Sequence, residues 1–185
     1  MSTPIAQLPK EHARLLDGGR APMTITGADL AAGFFVGVAW HDLRFVNCDF
    51  AGEGHLRLDA MSGCRFIDCR FVAPSHDFGV MSDVRFVRCR SFGHAVFGGR
   101  DGSTGVVFEQ CIFSGGDAAP HAREGIGSTG ETTFANCTGS GAVLVAGTRL
   151  VIEGCRFDHT SFVIGRQRSR GVPLAAAVVI ENTQG

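Results

Sequence analysis

Phe45 to Phe50 reads FVNCDF, and this six-residue phrase (an apolar anchor, two residues, a cysteine, one residue, an apolar residue) decides the fold because it returns down the chain. Phe66 to Phe71 reads FIDCRF, Phe108 to Phe113 reads FEQCIF and Ile152 to Phe157 reads IEGCRF. Looser copies stand at Phe86 (FVRCRS) and Phe134 (FANCTG), with cysteine-free ones at Ile25 (ITGADL) and Ile180 (IENTQG). The eight anchors, Ile25, Phe45, Phe66, Phe86, Phe108, Phe134, Ile152 and Ile180, are separated by 20, 21, 20, 22, 26, 18 and 28 residues. A repeat of this period is the mark of a solenoid, in which each unit buries its apolar face only against its neighbours.

The phrase resolves into directions because side chains alternate along a strand. Two residues before each anchor stand Met23, Leu43, Cys64, Val84, Val106, Thr132, Leu150 and Val178, apolar in all but one coil, so they point inward with the anchor. Two residues after it stand Gly27, Asn47, Asp68, Arg88, Gln110, Asn136, Gly154 and Asn182. Gly, Asn and Asp predominate there, and these types tolerate a left-handed backbone, which places a bend at that position. A small residue follows, a cysteine in six coils, and the chain turns inward again. Strand, one-residue bend and short strand form the cross-section of a parallel β-helix.

On these residues the chain resembles the right-handed parallel β-helix superfamily, whose coils often carry an I-x-N-x-x-F phrase. More distantly it resembles pentapeptide-repeat proteins, through the five-residue steps Phe45/Phe50 and Phe66/Phe71. Coils of 18 to 28 residues without a sustained five-residue register favour the irregular β-helix. The resemblance covers about residues 23 to 183 and implies an all-β, single-domain solenoid of about eight coils (23–185), preceded by an N-terminal segment (1–22). In that segment Pro9 to Asp17 (PKEHARLLD), followed by Gly18 and Gly19, reads as a short helix capping the open sheet edge. The resemblance specifies fold and leaves function open.

Composition agrees. Fifteen Phe, one Trp and no Tyr describe a dry aromatic stack without hydroxyls in need of partners. Seven cysteines, odd in number and one per rung except for Cys64 and Cys69, fit neither metal-binding pairs nor a disulfide framework. They read as buried thiols, no metal or other cofactor is expected, and reduced cysteines point to a cytoplasmic protein. No stretch approaches a membrane span or a signal pattern, so neither membrane association nor secretion is expected.

Function is sought at outward positions. Arg44, Arg65 and Arg85 stand just before the anchors and Val46, Ile67 and Val87 just after; a third column, after the cysteine, runs Asp49, Arg70, Arg90. An apolar strip beside arginines on a flat sheet suits a protein partner, because arginine and buried apolar groups supply much interface energy. Cover by another part of the chain, or simple strand propensity, explains the apolar column equally. The segment Arg166 to Gly171 (RQRSRG) breaks the pattern as an exposed loop whose Arg166, Arg168 and Arg170 join the candidate set, and the long loop Ser114 to Gly130 is the next place to look. His55, His76, His94 and His121 follow the bend region; stacked, they would form a titrating or metal-binding ladder, although turn residues explain them as well.

Catalysis is not expected. The outward acids Asp49, Asp77, Asp83, Asp101, Asp117 and Glu124 are scattered, whereas β-helix lyases and hydrolases need dense carboxylate sets; convergence of His76, Asp77, His94 and Asp101 is the arrangement that would revive a carbohydrate-active reading. A sugar site would also want exposed aromatic platforms, and the one Trp is Trp40. Nucleic acid is not expected either: Lys+Arg 17 against Asp+Glu 18 is neither a basic excess nor a strong negative charge. Sixteen of the basic residues are Arg, suited to bidentate contacts with protein carboxylates. The expected function is a non-catalytic protein-binding module, sharpened to a bacterial immunity protein that neutralises a toxin or effector domain; a carbohydrate-binding or -modifying β-helix is the alternative, and the apolar column leaves a homodimer open.

Overall fold

The computed structural model describes residues 22–30, 34–50, 55–71, 76–92, 97–98, 103–114, 131–140, 143–146, 149–158, 161–164 and 177–181. Eight strands stack in chain order and in parallel: Met23–Thr26, Leu43–Val46, Arg65–Ile67, Val80–Val87, Thr104–Glu109, Glu131–Ala135, Arg149–Glu153 and Ala177–Glu181. They define coils one to eight of a β-solenoid, and among the described residues there is no helix. The expected capping helix, the bend at Asn182 and the loops 115–130 and 165–171 lie outside the described residues.

Every anchor read from the repeat meets the next. Ile25, Phe45, Phe66, Phe86, Phe108, Phe134, Ile152 and Ile180 are consecutive register partners. Parallel in-register pairing puts identical side chains one rung apart, about 4.8 Å, and the rings use it. Phe45 and Phe66 stack at 4.9 Å, Phe66 and Phe86 at 4.8 Å, Phe86 and Phe108 at 4.7 Å, and Phe108 and Phe134 at 5.0 Å. A second ladder, Phe50 on Phe71 at 5.0 Å, meets the first edge-on. The core is therefore a column of rings, in which each coil contributes to the interfaces above and below it.

The bend column is real and reaches further than its composition suggests. Gly27, Asn47, Asp68, Arg88, Gln110, Asn136 and Gly154 all have positive φ, between 51° and 64°. Six of these corners, Gly27 to Asn136, also stay inside the ladder: the Asn47, Asp68 and Arg88 amides donate to the carbonyls of Ile67, Val87 and Glu109 in the next coil at 2.9, 3.0 and 2.8 Å. Arg88 holds this disfavoured backbone while its guanidinium makes two 2.8 Å bonds to Asp68, the corner one coil earlier.

A second column of corners corrects the expectation that no five-residue register is sustained. Asp42, Gly63, Asp83 and Gly105 also have positive φ and lie five residues ahead of Asn47, Asp68, Arg88 and Gln110. Four strand residues between two one-residue corners make a five-residue side, so inward residues recur at that step: Phe35, Trp40, Phe45 and Phe50 are all buried, as are Met61, Phe66 and Phe71. The pentapeptide-like step thus runs along part of each of these coils, and irregular segments take up the rest.

The cysteines occupy inward sites. All seven are free and buried. The Sγ atoms of Cys48, Cys69, Cys89, Cys111, Cys137 and Cys155 approach the anchor carbonyl of the preceding coil, at Ile25, Phe45, Phe66, Phe86, Phe108 and Phe134, at 3.3 to 3.6 Å. A small apolar side chain with a weak donor suits a position facing a carbonyl inside a dry core. Thr132, the polar residue in the inward column ahead of the anchors, is less well served: it is fully buried and its hydroxyl has no hydrogen-bond partner among the described residues. Thr132→Val should therefore stabilise the fold by about 1 kcal/mol, because a buried unpaired hydroxyl costs more than the methyl that replaces it. Calorimetry should register this as a melting temperature higher by roughly 3 °C, and a lower one would mean that the hydroxyl is paired.

Candidate functional site

Outward residues on the main sheet fall into two columns, fixed by the same pairing. The first runs Thr24, Arg44, Arg65, Arg85, Val107, Thr133, Val151, Val179. The second runs Thr26, Val46, Ile67, Val87, Glu109, Ala135, Glu153, Glu181. The candidate residues Arg44, Arg65 and Arg85 are thus adjacent rungs, as are Val46, Ile67 and Val87. Arg44 and Arg85 are exposed, Arg65 is half-exposed, and the three apolar residues are half-buried beside one another.

Three like charges at one-rung spacing cost stability, because directly opposed like charges repel. Relief is small: Arg65 lies 3.8 Å from Asp83, both side chains exposed, and Arg44 and Arg85 form no ion pair among the described residues. Among the described residues, Arg44 and Arg85 therefore have no carboxylate to offset this repulsion.

The third column is confirmed in register and altered in meaning. Asp29, Asp49, Arg70, Arg90, Ile112, Thr138 and Arg156 are successive partners on the second sheet. Arg70 is not free: its Nε and Nη2 both bond Asp49, and that carboxylate favours the charged guanidinium. Arg90 is exposed without an ion pair among the described residues. At the corner, the hydrogen bond from Arg88 holds the Asp68 carboxyl below the ordinary carboxylate range. Arg166, Arg168 and Arg170 lie outside the described residues.

The register also bears on two alternatives raised by the sequence. His76 pairs with Leu56 and Phe97, while His55 pairs with Phe34, so these histidines are offset by one residue and form no ladder; His94 and His121 lie outside the described residues. In the set His76, Asp77, His94 and Asp101, Asp77 is registered with Arg57 and Gly98, while His94 and Asp101 lie outside the described residues. Trp40 is fully buried between Phe35 and Phe45, with ring centroids 5.4 and 5.1 Å away, and offers no platform for a sugar.

Sequence reading stopped at coil four and missed the second half of the face. Val107, Thr133 and Val151 extend the arginine column as neutral residues, and Glu109 and Glu153 extend the apolar column as acids. The signal was available, since the residues flanking Phe108, Phe134 and Ile152 follow the rule used at Phe45, Phe66 and Phe86. Val151, although outward, is only 8% exposed, whereas Glu153 beside it is exposed.

No family model matches the sequence, and no curated protein matches it. Among solved structures the chain is similar to trypsin-treated QnrB1, a plasmid-mediated fluoroquinolone resistance protein, at 15% identity over 88% of this chain and 92% of that one, with a TM-score of 0.29. So loose a superposition carries no argument, and the β-solenoid stands on its own strand register. No helix among the described residues is long and apolar enough to cross a membrane, which says nothing of β-strands.

Proposed function

We propose that this protein is a non-catalytic binding module whose main-sheet face engages a protein partner, and that the partner is a toxin or effector domain that it neutralises in the bacterial cytoplasm, as an immunity protein does. The observation that carries the reading is the in-register run Arg44, Arg65, Arg85 beside Val46, Ile67, Val87. Its charge is spent against stability, its apolar half is incompletely covered, and the rigid ladder beneath holds both without further ordering cost. Rigid, preorganised surfaces of this kind bind with little entropy loss, and solenoids present them broadly. The burial of Trp40 favours this reading over a carbohydrate site.

The test pairs capture with charge reversal. Tagged protein should retain a stoichiometric partner bearing a toxin or effector domain, and co-expression should suppress that domain's toxicity. The double variant Arg65→Glu/Arg85→Glu should bind on the order of a hundredfold more weakly, as loss of central arginine contacts does, with an unchanged circular-dichroism spectrum. Undiminished binding by that variant would place the site elsewhere.

A further inference from the structure

Within the two outward columns the charges divide along the stack. Coils two to four carry Arg44, Arg65 and Arg85 in the first column, and coils five, seven and eight carry Glu109, Glu153 and Glu181 in the second. The division is self-complementary under one particular rotation. A two-fold axis parallel to the strands keeps each column over itself and reverses the order of coils. With the axis between coils four and five, coil four of one copy lies over coil five of the other, coil three over six, and coil two over seven. Arg85 then meets the coil of Glu109, Arg44 meets the coil of Glu153, and Ile67 lies over Ala135. The arginine and the glutamate of each pair stand one column apart, two residues or roughly 6.8 Å along the strand, a step that an arginine side chain bridges. A two-fold along the stack would instead set each coil level with its own copy, arginine coils beside arginine coils and glutamate coils beside glutamate coils, and like charge disfavours it.

We infer that the main-sheet face pairs with a second copy of this chain, antiparallel in stacking direction, through Arg85 with Glu109 and Arg44 with Glu153, each contact made twice by symmetry. Isologous contacts of this kind use the same patch on both subunits. The strip spans six rungs, on the order of 25 Å, and one strand in width, which is small for a permanent dimer and fits a reversible one. The inference extends the binding reading: the arginines that would meet a partner are covered in the dimer, so self-association and partner binding compete for one face.

Sedimentation equilibrium on the full chain tests this, at low ionic strength and in high salt. The wild type is expected to dimerise reversibly at low salt and to dissociate as salt screens the pairs. Arg85→Glu and Glu109→Arg should each raise the dissociation constant by about tenfold or more, and the double variant Arg85→Glu/Glu109→Arg should recover the dimer. A wild type that stays monomeric at low salt, a dimer indifferent to either single reversal, or a double variant that does not recover would each overturn the inference. Partner capture is carried out with the wild type, so its outcome does not depend on the substitution at Glu109. Intact capture with no dimer removes the self-pairing alone, whereas capture that survives Arg65→Glu/Arg85→Glu removes the binding reading.

Discussion

Phe86→Ala is expected to lower the free energy of unfolding by about 4 kcal/mol, with an unchanged denaturant slope. Phe86 is fully buried at the middle of the column, stacked on Phe66 at 4.8 Å and Phe108 at 4.7 Å and touched from the side by Phe71 and Phe78 at 5.9 and 5.7 Å. Truncation removes the ring's transfer free energy and leaves a void between two rigid rungs that cannot close, because the 4.8 Å spacing is set by backbone hydrogen bonds. A solenoid is stabilised by nearest-neighbour interfaces, so a central rung loses two where an end rung loses one. Ile25→Ala, in coil one, should accordingly cost less than Phe86→Ala. Urea titrations of both variants check the difference, and a central cost below about 1 kcal/mol would contradict a closely packed ring column.

The fold was legible in the sequence because one constraint recurs at every coil. A residue that must point inward, a residue that must bend and a small residue that must follow recur in that order, and pairing them by phrase reproduced the observed register at every anchor. Arg88 and Gln110 show the limit of the compositional rule. Neither type favours positive φ, yet both adopt it, at 51° and 53°, because the rungs on either side impose it and, at Arg88, because a bidentate bond to Asp68 accompanies it. The corners at Asp42, Gly63, Asp83 and Gly105 were missed since the phrase was read forward from each anchor and not five residues back, where Trp40, Met61 and Met81 continue the inward pattern. The histidines show a different limit: His55 and His76 each follow their cysteine by seven residues, yet His76 is registered with Leu56 and not with His55, so equal spacing in sequence did not give equal register.

The candidate face was legible by the same alternation, as columns. What each arginine does was not, because a partner such as Asp49 for Arg70 lies a coil away, 21 residues back in sequence. Reading down the stack separates the paired arginines, Arg70 and Arg88, from Arg44, Arg85 and Arg90, which have no ion pair among the described residues. It also joins the second half of the face to the first, which turns a basic patch into a surface of divided charge.

Alkaline pH should unfold this protein through its thiols. Burial pushes the Cys64 thiol from its ordinary 9.0 up to about 11, and burial likewise raises Cys89. Below pH 9 a thiol is protonated in both states, and its contribution to stability is fully present. Above 9 the unfolded chain releases the proton while the folded chain keeps it, so stability falls until the folded group also titrates. Each such thiol loses about 1.4 kcal/mol per pH unit in that window, or roughly 3 kcal/mol for Cys64 between pH 9 and 11. Two thiols together would then approach the lower end of a typical domain's stability, about 5 kcal/mol. The chain is a clean case, since it has no Tyr and one Lys, Lys10, to confuse the titration. Denaturant midpoints should be flat from pH 7 to 9 and fall steeply above it, and Cys64→Val should flatten part of that fall. In the native protein at neutral pH a thiol reagent should label the cysteines slowly, with all seven reacting on unfolding. A stability profile flat to pH 11, or a profile unchanged in Cys64→Val, would show that the thiols do not sit in the dry column that the register builds around them.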